Sequence, residues 1–308
     1  MTTQYHKPVL LRESIDSLNI LPGGVYVDAT FGGGGHSSRI LSKLNANGRL
    51  YAFDQDPDAK ANVPPDGRLT FIAANFGLIA DYLKFYGVTT VDGILADLGV
   101  SSHQFDTEHR GFSIRFDGPL DMRMNPAEGV SAADILNSYA QEDLIKIFRT
   151  YSEINQAPRL VAAIVKRRQE KAFVTTSDLK CVVESFAKPS ERNQFLSRVF
   201  QALRMEANQE ITALKKLLVF SGVGLSENGR VVVISYHSGE DRLVKNYFAS
   251  GNFTGQQEKD LYGNVIRPLD PLLRKPLVPN DEEIIDNPRA RSAKLRVAQK
   301  SQKKNERE

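Results

Sequence analysis

The residues best suited to chemistry stand where apolar runs end. The first group is Thr30-Phe31-Gly32-Gly33-Gly34-Gly35-His36-Ser37, which directly follows the strand-like VYVDAT. Glycines at a strand-to-helix bend let a ligand approach the backbone, because no Cβ stands in the way. The helix beyond starts with N–H groups that have no partner in the chain. In an open parallel sheet, ligands bind at the carboxyl ends of strands, near the point where the strand order reverses. A nucleotide-type ligand is therefore expected at this bend. A phosphate-binding loop would need Gly-Lys-Ser/Thr where Gly35-His36-Ser37 stands. A dinucleotide fingerprint begun at Gly32 and Gly34 meets Ser37 at its third glycine position.

Further acids and aromatics close the other strand-like runs. Asp54 ends RLYAFD, where a carboxylate can accept hydrogen bonds from both hydroxyls of a ribose. Nicotinamide dinucleotides and S-adenosylmethionine both carry adenosine, so Asp54 alone does not choose between them. Asp97-Leu98-Gly99 ends the fourth run, where transfer chemistry would sit beside a cofactor; the alternative for Asp97 is a turn-forming or capping acid. Ser101, Ser102 and Gln104 follow in a loop suited to line the same cleft. Phe76, just after the third run, fits either an adenine ring or the core. Tyr236 and His237 follow RVVVIS, and an aromatic beside a histidine at a strand end suits a stacked base. His6, His103 and His109 are not spaced as metal ligands, and no metal is expected.

These residues need a scaffold, and the alternation of patterns supplies one. Strand runs at Val25–Thr30, Arg49–Asp54, Leu69–Ala73 and Val91–Leu98 alternate with helical spacing at His36–Leu44 and Leu78–Tyr86. Asp56-Pro57 offers a helix cap followed by proline at the first helical position. This is the order of an α/β fold with a mostly parallel sheet. The alternation then stops. Phe105–Pro126 reads as a long structured loop, and helical signals follow up to a continuous Glu191–Phe220. The sheet pattern returns at Arg230–Tyr236, with a closing strand at Ala293–Ala298 after a proline-rich loop region. Residues 1–104 and 221–308 are thus expected to form one discontinuous domain, and 105–220 a loop and helical domain inserted into it.

The 308 residues are 41% apolar and 25% charged, the balance of a soluble globular protein. No run is long enough to span a membrane, and the N-terminus has no apolar signal region. A single cysteine, Cys181, forbids an intrachain disulfide and suits a reducing cytoplasm. Net charge is only +3, but eight Lys or Arg stand against two Glu from Pro288 to Glu308. That end, with Lys166, Arg167 and Arg168, can follow a phosphate backbone or be a solvated face.

Several segments together resemble one family. DATFGGGGHS, LADLGVSSHQ, RGFS with DGPLDMRM, RVVVISYHSGEDR and NPRARSAKLR are similar to the motifs of bacterial 16S rRNA cytosine-N4 methyltransferases. The similarity runs nearly from Lys7 to Val297, with the motifs in order. It implies a class I S-adenosylmethionine-dependent methyltransferase, a Rossmann-like open sheet with an inserted helical domain. It also implies S-adenosyl-L-methionine as methyl donor and a cytidine of the 16S rRNA decoding region, within the small ribosomal subunit, as acceptor. Carried over residue by residue, cofactor contacts fall on Gly34, Gly35, His36, Asp54, Phe76, Asp97 and Gln104. Asp97, or a carbonyl near it, becomes the group that assists the attacking amine, because no Asn/Asp-Pro-Pro-aromatic motif follows the fourth strand. Tyr236 and His237 become the holders of a base splayed from its stack. Two departures concern the base pocket: Gly239 where the family has Leu, and ALRMEANQEI from Ala202 to Ile211. A homodimer stays open, as do two rival readings, a nicotinamide-dependent dehydrogenase and a non-catalytic RNA-binding factor.

Overall fold

Apolar runs buried on both faces build a seven-stranded sheet in the order β3-β2-β1-β4-β5-β7-β6. The strands are β1 (Val25–Asp28), β2 (Arg49–Phe53), β3 (Leu69–Ile72), β4 (Val91–Asp97), β5 (Leu225–Ser235), β6 (Leu269–Pro271) and β7 (Lys294–Lys300). Strands β1 to β5 run parallel, and β7 returns antiparallel beside β5. The chain moves outward from β1 to β2 and β3, then crosses back to β4. The strand order therefore reverses between β1 and β4, whose ends carry Asp28 and Asp97. The computed structural model describes residues 8–302.

This sheet belongs to a compact unit whose described residues are 8–99 and 212–302. Side chains alternate across the strands. Val27, Ile94, Ala96, Val231 and Val233 pack on one face with helices α3 (Ile79–Phe85), α10 (Glu210–Gly224) and α11 (Ser238–Ser250). Tyr26, Leu50, Leu95, Val232 and Ile234 pack on the other with α1 (Leu11–Leu18) and α2 (Gly35–Leu41). Each such buried Val, Leu or Ile contributes about 1.5–3 kcal/mol over an exposed one. The expected boundary moves accordingly. Residues 212–220, assigned by sequence to the insert, belong to the sheet unit, because Leu214, Leu217 and Leu218 complete the first of these cores.

The second unit, residues 100–211, is helical, and it takes in residues 100–104, which the sequence assigned to the sheet domain. Its helices are α4 (Ser102–Asp106), α5 (Ala132–Ser138), α6 (Gln141–Ser152), α7 (Ala157–Glu170), α8 (Thr176–Val183) and α9 (Arg192–Ala207). Leu136, Phe148, Leu160, Ile164, Leu179 and Leu203 share its core. The single helical stretch expected over Glu191–Phe220 is two helices, α9 and α10. The break falls at Asn208 and at Gln209, whose φ is 51°. There the Asn208 amide turns to the loop instead, accepting from the Met124 N–H (2.6 Å) and donating to the Met122 carbonyl (2.7 Å).

Four elements were not expected from sequence: α1, β6, α12 (Asp281–Asp286) and α4, which stands where a loop was read around Ser102 and Gln104. The Asp56 cap is present, with its carboxylate accepting from the Asp58 N–H (3.1 Å), but it starts a 3-10 turn, Pro57–Asn62, rather than an α-helix. No helix among the described residues is long and apolar enough to cross a membrane.

Candidate active site

The glycine bend fixes the site first. Gly32 and Gly34 have φ of 51° and 75°, in the left-handed region where a side chain is strained. At Gly34 a Cβ would also press on the Phe31 ring at 2.9 Å. At Gly32 a Cβ would meet nothing within 4 Å, so this is where the bend faces free space. Gly35 is bare for a different reason: a Cβ there would overlap Pro8. Its missing side chain makes room for the protein, and only its backbone remains to offer a ligand.

Three carboxylates end adjacent strands beside this bend. Asp54, just past β2, accepts the Gly32 N–H at 2.7 Å on Oδ2 and the Asp56 N–H at 2.8 Å on Oδ1. It thereby clamps the bend to β2 while each oxygen keeps a second lone pair for a donor. Asp28, at the end of β1, is 1% exposed and accepts from Ser37 Oγ (2.7 Å) and the Thr30 N–H (3.1 Å). Asp97, at the end of β4, accepts the Tyr236 phenol at 2.7 Å on Oδ1, and its own N–H donates to Thr30 Oγ1 at 2.7 Å. Burial raises all three carboxyls, each to about 6, against the hydrogen bonds that lower them.

The aromatic and imidazole groups are arranged around these acids. His36 is buried, and its Nε2 lies 3.2 Å from the Val9 carbonyl, so Nε2 carries the proton and donates. Its Nδ1 lies 3.9 Å from Asp97 Oδ2. Burial holds the imidazole below its ordinary pKa, which keeps it neutral at pH 7. Tyr236 is half-buried on the core, and its phenol is already committed to Asp97; burial raises that phenol well above its usual value. Phe76 is half-buried in the short turn after β3, where the Asn75 side chain accepts the Gly77 N–H at 2.8 Å.

Gln104 belongs to the helical unit and is 4% exposed. Its side chain accepts the Ser101 N–H at 3.0 Å, while Ser101 Oγ accepts the Gln104 N–H at 3.2 Å. This reciprocal cap starts α4. The sheet unit by itself therefore brings together Gly34, Gly35, His36, Asp54, Asp97 and Tyr236, while Phe76 and His237 stand at the ends of β3 and β5.

A family model described as the MraW methylase family matches residues 3–301. The chain belongs to the MraW methylase family. Its curated relatives include proteins named ribosomal RNA small subunit methyltransferase H. The one from Phocaeicola vulgatus is 52% identical over 297 residues, covering 96% of this chain and 97% of that protein. That of Parabacteroides distasonis is also 52% identical over 297 residues, with the same coverage. That of Flavobacterium johnsoniae is 50% identical over 299 residues, covering 97% and 99%. The strand order, with β7 antiparallel between β5 and β6, is the class I methyltransferase sheet.

Within this MraW-family site, two acids escaped the sequence reading. Asp28 ends its strand just as Asp54 and Asp97 do, and that repeated position was the available signal. Glu240, 2% exposed, stands three residues after His237, the spacing at which helix side chains meet. The basic groups proposed for phosphates are partly committed elsewhere. Arg167 is 3.1 Å from Asp178, and Arg168 donates to the Leu136 and Tyr139 carbonyls at 2.9 and 2.8 Å. Lys294 and Arg296 pair with Asp241 at 3.4 and 2.6 Å. Lys166 and Arg291 are exposed. Lys303, Lys304 and Arg307 of the basic end, like His6, lie outside the described residues.

Proposed function

We propose that this chain transfers a methyl group from S-adenosyl-L-methionine to the exocyclic N4 amine of a cytidine in the 16S rRNA decoding region. The observation that carries the reading is the left-handed glycine bend clamped by Asp54 and flanked by Asp97 at the strand-order reversal. The residues suit an adenosine bearing a sulfonium. Gly32 faces free space, and Asp54 retains lone pairs for ribose hydroxyls. Phe76 stands at the end of β3 for the adenine. Gly34, Gly35 and His36 supply the backbone of the cradle, and Asp97 completes the contact set within the sheet unit. The relatives' name, ribosomal RNA small subunit methyltransferase H, supports the rRNA substrate.

The bound cofactor supplies a methyl group activated by its sulfonium. The cytosine amine is a weak nucleophile, since its lone pair is delocalised into the ring. The chain's task is alignment and exclusion of water, which together account for up to about 7–11 kcal/mol of a barrier. Asp97 accepts a hydrogen bond from the amine, which favours a pyramidal nitrogen and offers a place for the proton that nitrogen gives up. Tyr236 holds Asp97 in position through its phenol. His237 contacts the base after it leaves its stack. The helical unit is an inserted domain that engages RNA, and the acceptor is presented within the small ribosomal subunit in the cytoplasm. Light scattering of the purified protein reads whether it works as a homodimer.

The test is methyl transfer to 16S rRNA or small subunits from cells lacking this protein, with mapping of methylated cytidines. One decoding-region cytidine gains an N4 methyl group. Transfer to no cytidine, by folded protein that binds the donor, would overturn the reading.

A further inference from the structure

We propose that Glu240 is a positioning residue: it fixes the His237 ring and the Tyr236 backbone so that both face the acceptor base. The inference rests on the methyltransferase reading and names a group that reading does not require. Glu240 lies in the first turn of α11, yet it is 2% exposed. A buried carboxylate is expensive unless bonded, and an apolar residue would fill the space more cheaply. Its two oxygens are directed to two different neighbours. Oε2 accepts the Tyr236 N–H at 3.2 Å. Oε1 lies 3.0 Å from His237 Nε2.

The second contact is close but poorly aligned, and both ring nitrogens of His237 are buried without a hydrogen-bond partner. Buried polar atoms seldom remain unpaired. Sites for bound groups are where such contacts tighten on loading. A small rotation of the ring aligns Nε2–H with Glu240 and selects that tautomer. Nδ1 then becomes an acceptor. Two acceptors, Asp97 and His237 Nδ1, are thus held through residues 236–240. Tyr236 links the first to the strand end by its phenol and is itself fixed by Glu240 through its N–H. The neighbouring cations Lys294 and Arg296 are engaged by Asp241, the residue after Glu240. His237 Nε2 faces Glu240 Oε1.

The experiment uses the full chain in three forms: wild type, E240Q and E240A. Turnover and KM are measured on rRNA substrate, donor affinity by calorimetry, and the His237 tautomer by nitrogen NMR of the protein with donor bound. E240A lowers kcat at least about tenfold, the scale of one charge-assisted hydrogen bond, with donor affinity within about twofold. Its His237 signals move toward a mixture of tautomers. E240Q keeps an acceptor for the Tyr236 N–H and so recovers part of kcat, while its tautomer signature still departs from wild type. If E240A does not fold, E240Q alone decides through the same two readouts. Wild-type turnover together with a wild-type His237 signature in either folded variant overturns the proposal. The tautomer needs no RNA to be read, so an absence of methyl transfer in the wild type counts against the proposed function and leaves this inference separately testable.

Discussion

Asp54 and Asp97 occupy equivalent positions on their strands but differ in what they already hold. Asp54 has two backbone N–H groups fixed on it, so its carboxylate is rigid before any ligand arrives. Asp97 has one phenol on Oδ1 and keeps Oδ2 toward the neutral His36. Loss of the first should therefore appear in donor binding, and loss of the second in the chemical step. Asp54→Ala is expected to weaken S-adenosylmethionine about 10–100-fold, since one or two charge-assisted bonds of about 1.5–3 kcal/mol disappear. Calorimetry reads this directly, and unchanged affinity removes Asp54 from the ribose. Asp97→Asn is expected to reduce single-turnover transfer by about 10–100-fold at saturating donor, for the same energetic reason. Transfer at the wild-type rate would show that another group assists the amine.

The glycine bend makes a sharper distinction among elements than a count of glycines suggests. Gly35→Ala drives a methyl group into Pro8, so it should destabilise the protein whether or not donor is present. Gly32→Ala meets free space and carries only the left-handed penalty of about 1–2 kcal/mol, while its methyl group intrudes where a ligand would lie. Thermal melts with and without donor separate the two: Gly35→Ala melts early in both, and Gly32→Ala loses mainly the shift that donor produces. A donor shift kept intact in Gly32→Ala would place the ligand elsewhere. The sequence disclosed this bend, and the four parallel strands from Val25 to Asp97, because buried parallel strands read as continuous apolar runs. It did not disclose why Gly35 is bare, since Pro8 is distant in the chain. The first half of β5 was hidden too: Ser226 to Gly229 is polar and bulges, with Val91 facing Leu225 and Gly93 facing Arg230. The break at Asn208 escaped because apolar spacing continues across it, while its cause, a side-chain clamp on Met122 and Met124, is a tertiary contact. At the site, Asp54 and Asp97 were legible as strand ends; that Tyr236 serves Asp97 depends on a sheet pairing that no local pattern encodes.

For the molecule as a whole, three acids buried at one sheet edge couple folding to pH. Asp28, Asp54 and Asp97 each rise from 3.8 to about 6 in the folded state, chiefly by burial. A folded pKa above the unfolded one means that the native state holds protons the unfolded chain has released. The stabilisation is complete below the unfolded value and is lost as pH rises through about 6. The free protein should therefore lose stability between about pH 5 and pH 7, three acids outweighing the opposite trend of His36, whose imidazole burial holds below its ordinary pKa. Donor reverses the preference at Asp54, because ribose hydroxyls donate to the ionised carboxylate; donor affinity should weaken as pH falls below about 6. Asp28 makes no proposed contact with a ligand, so Asp28→Asn isolates the folding term. Its melting temperature should vary less between about pH 5 and 7 than that of wild type, by roughly the share of one proton in three. Calorimetric melts of both proteins across that range measure the difference. Equal slopes would mean that Asp28 is ionised in the folded protein at pH 5, and that the edge is better solvated than its burial implies.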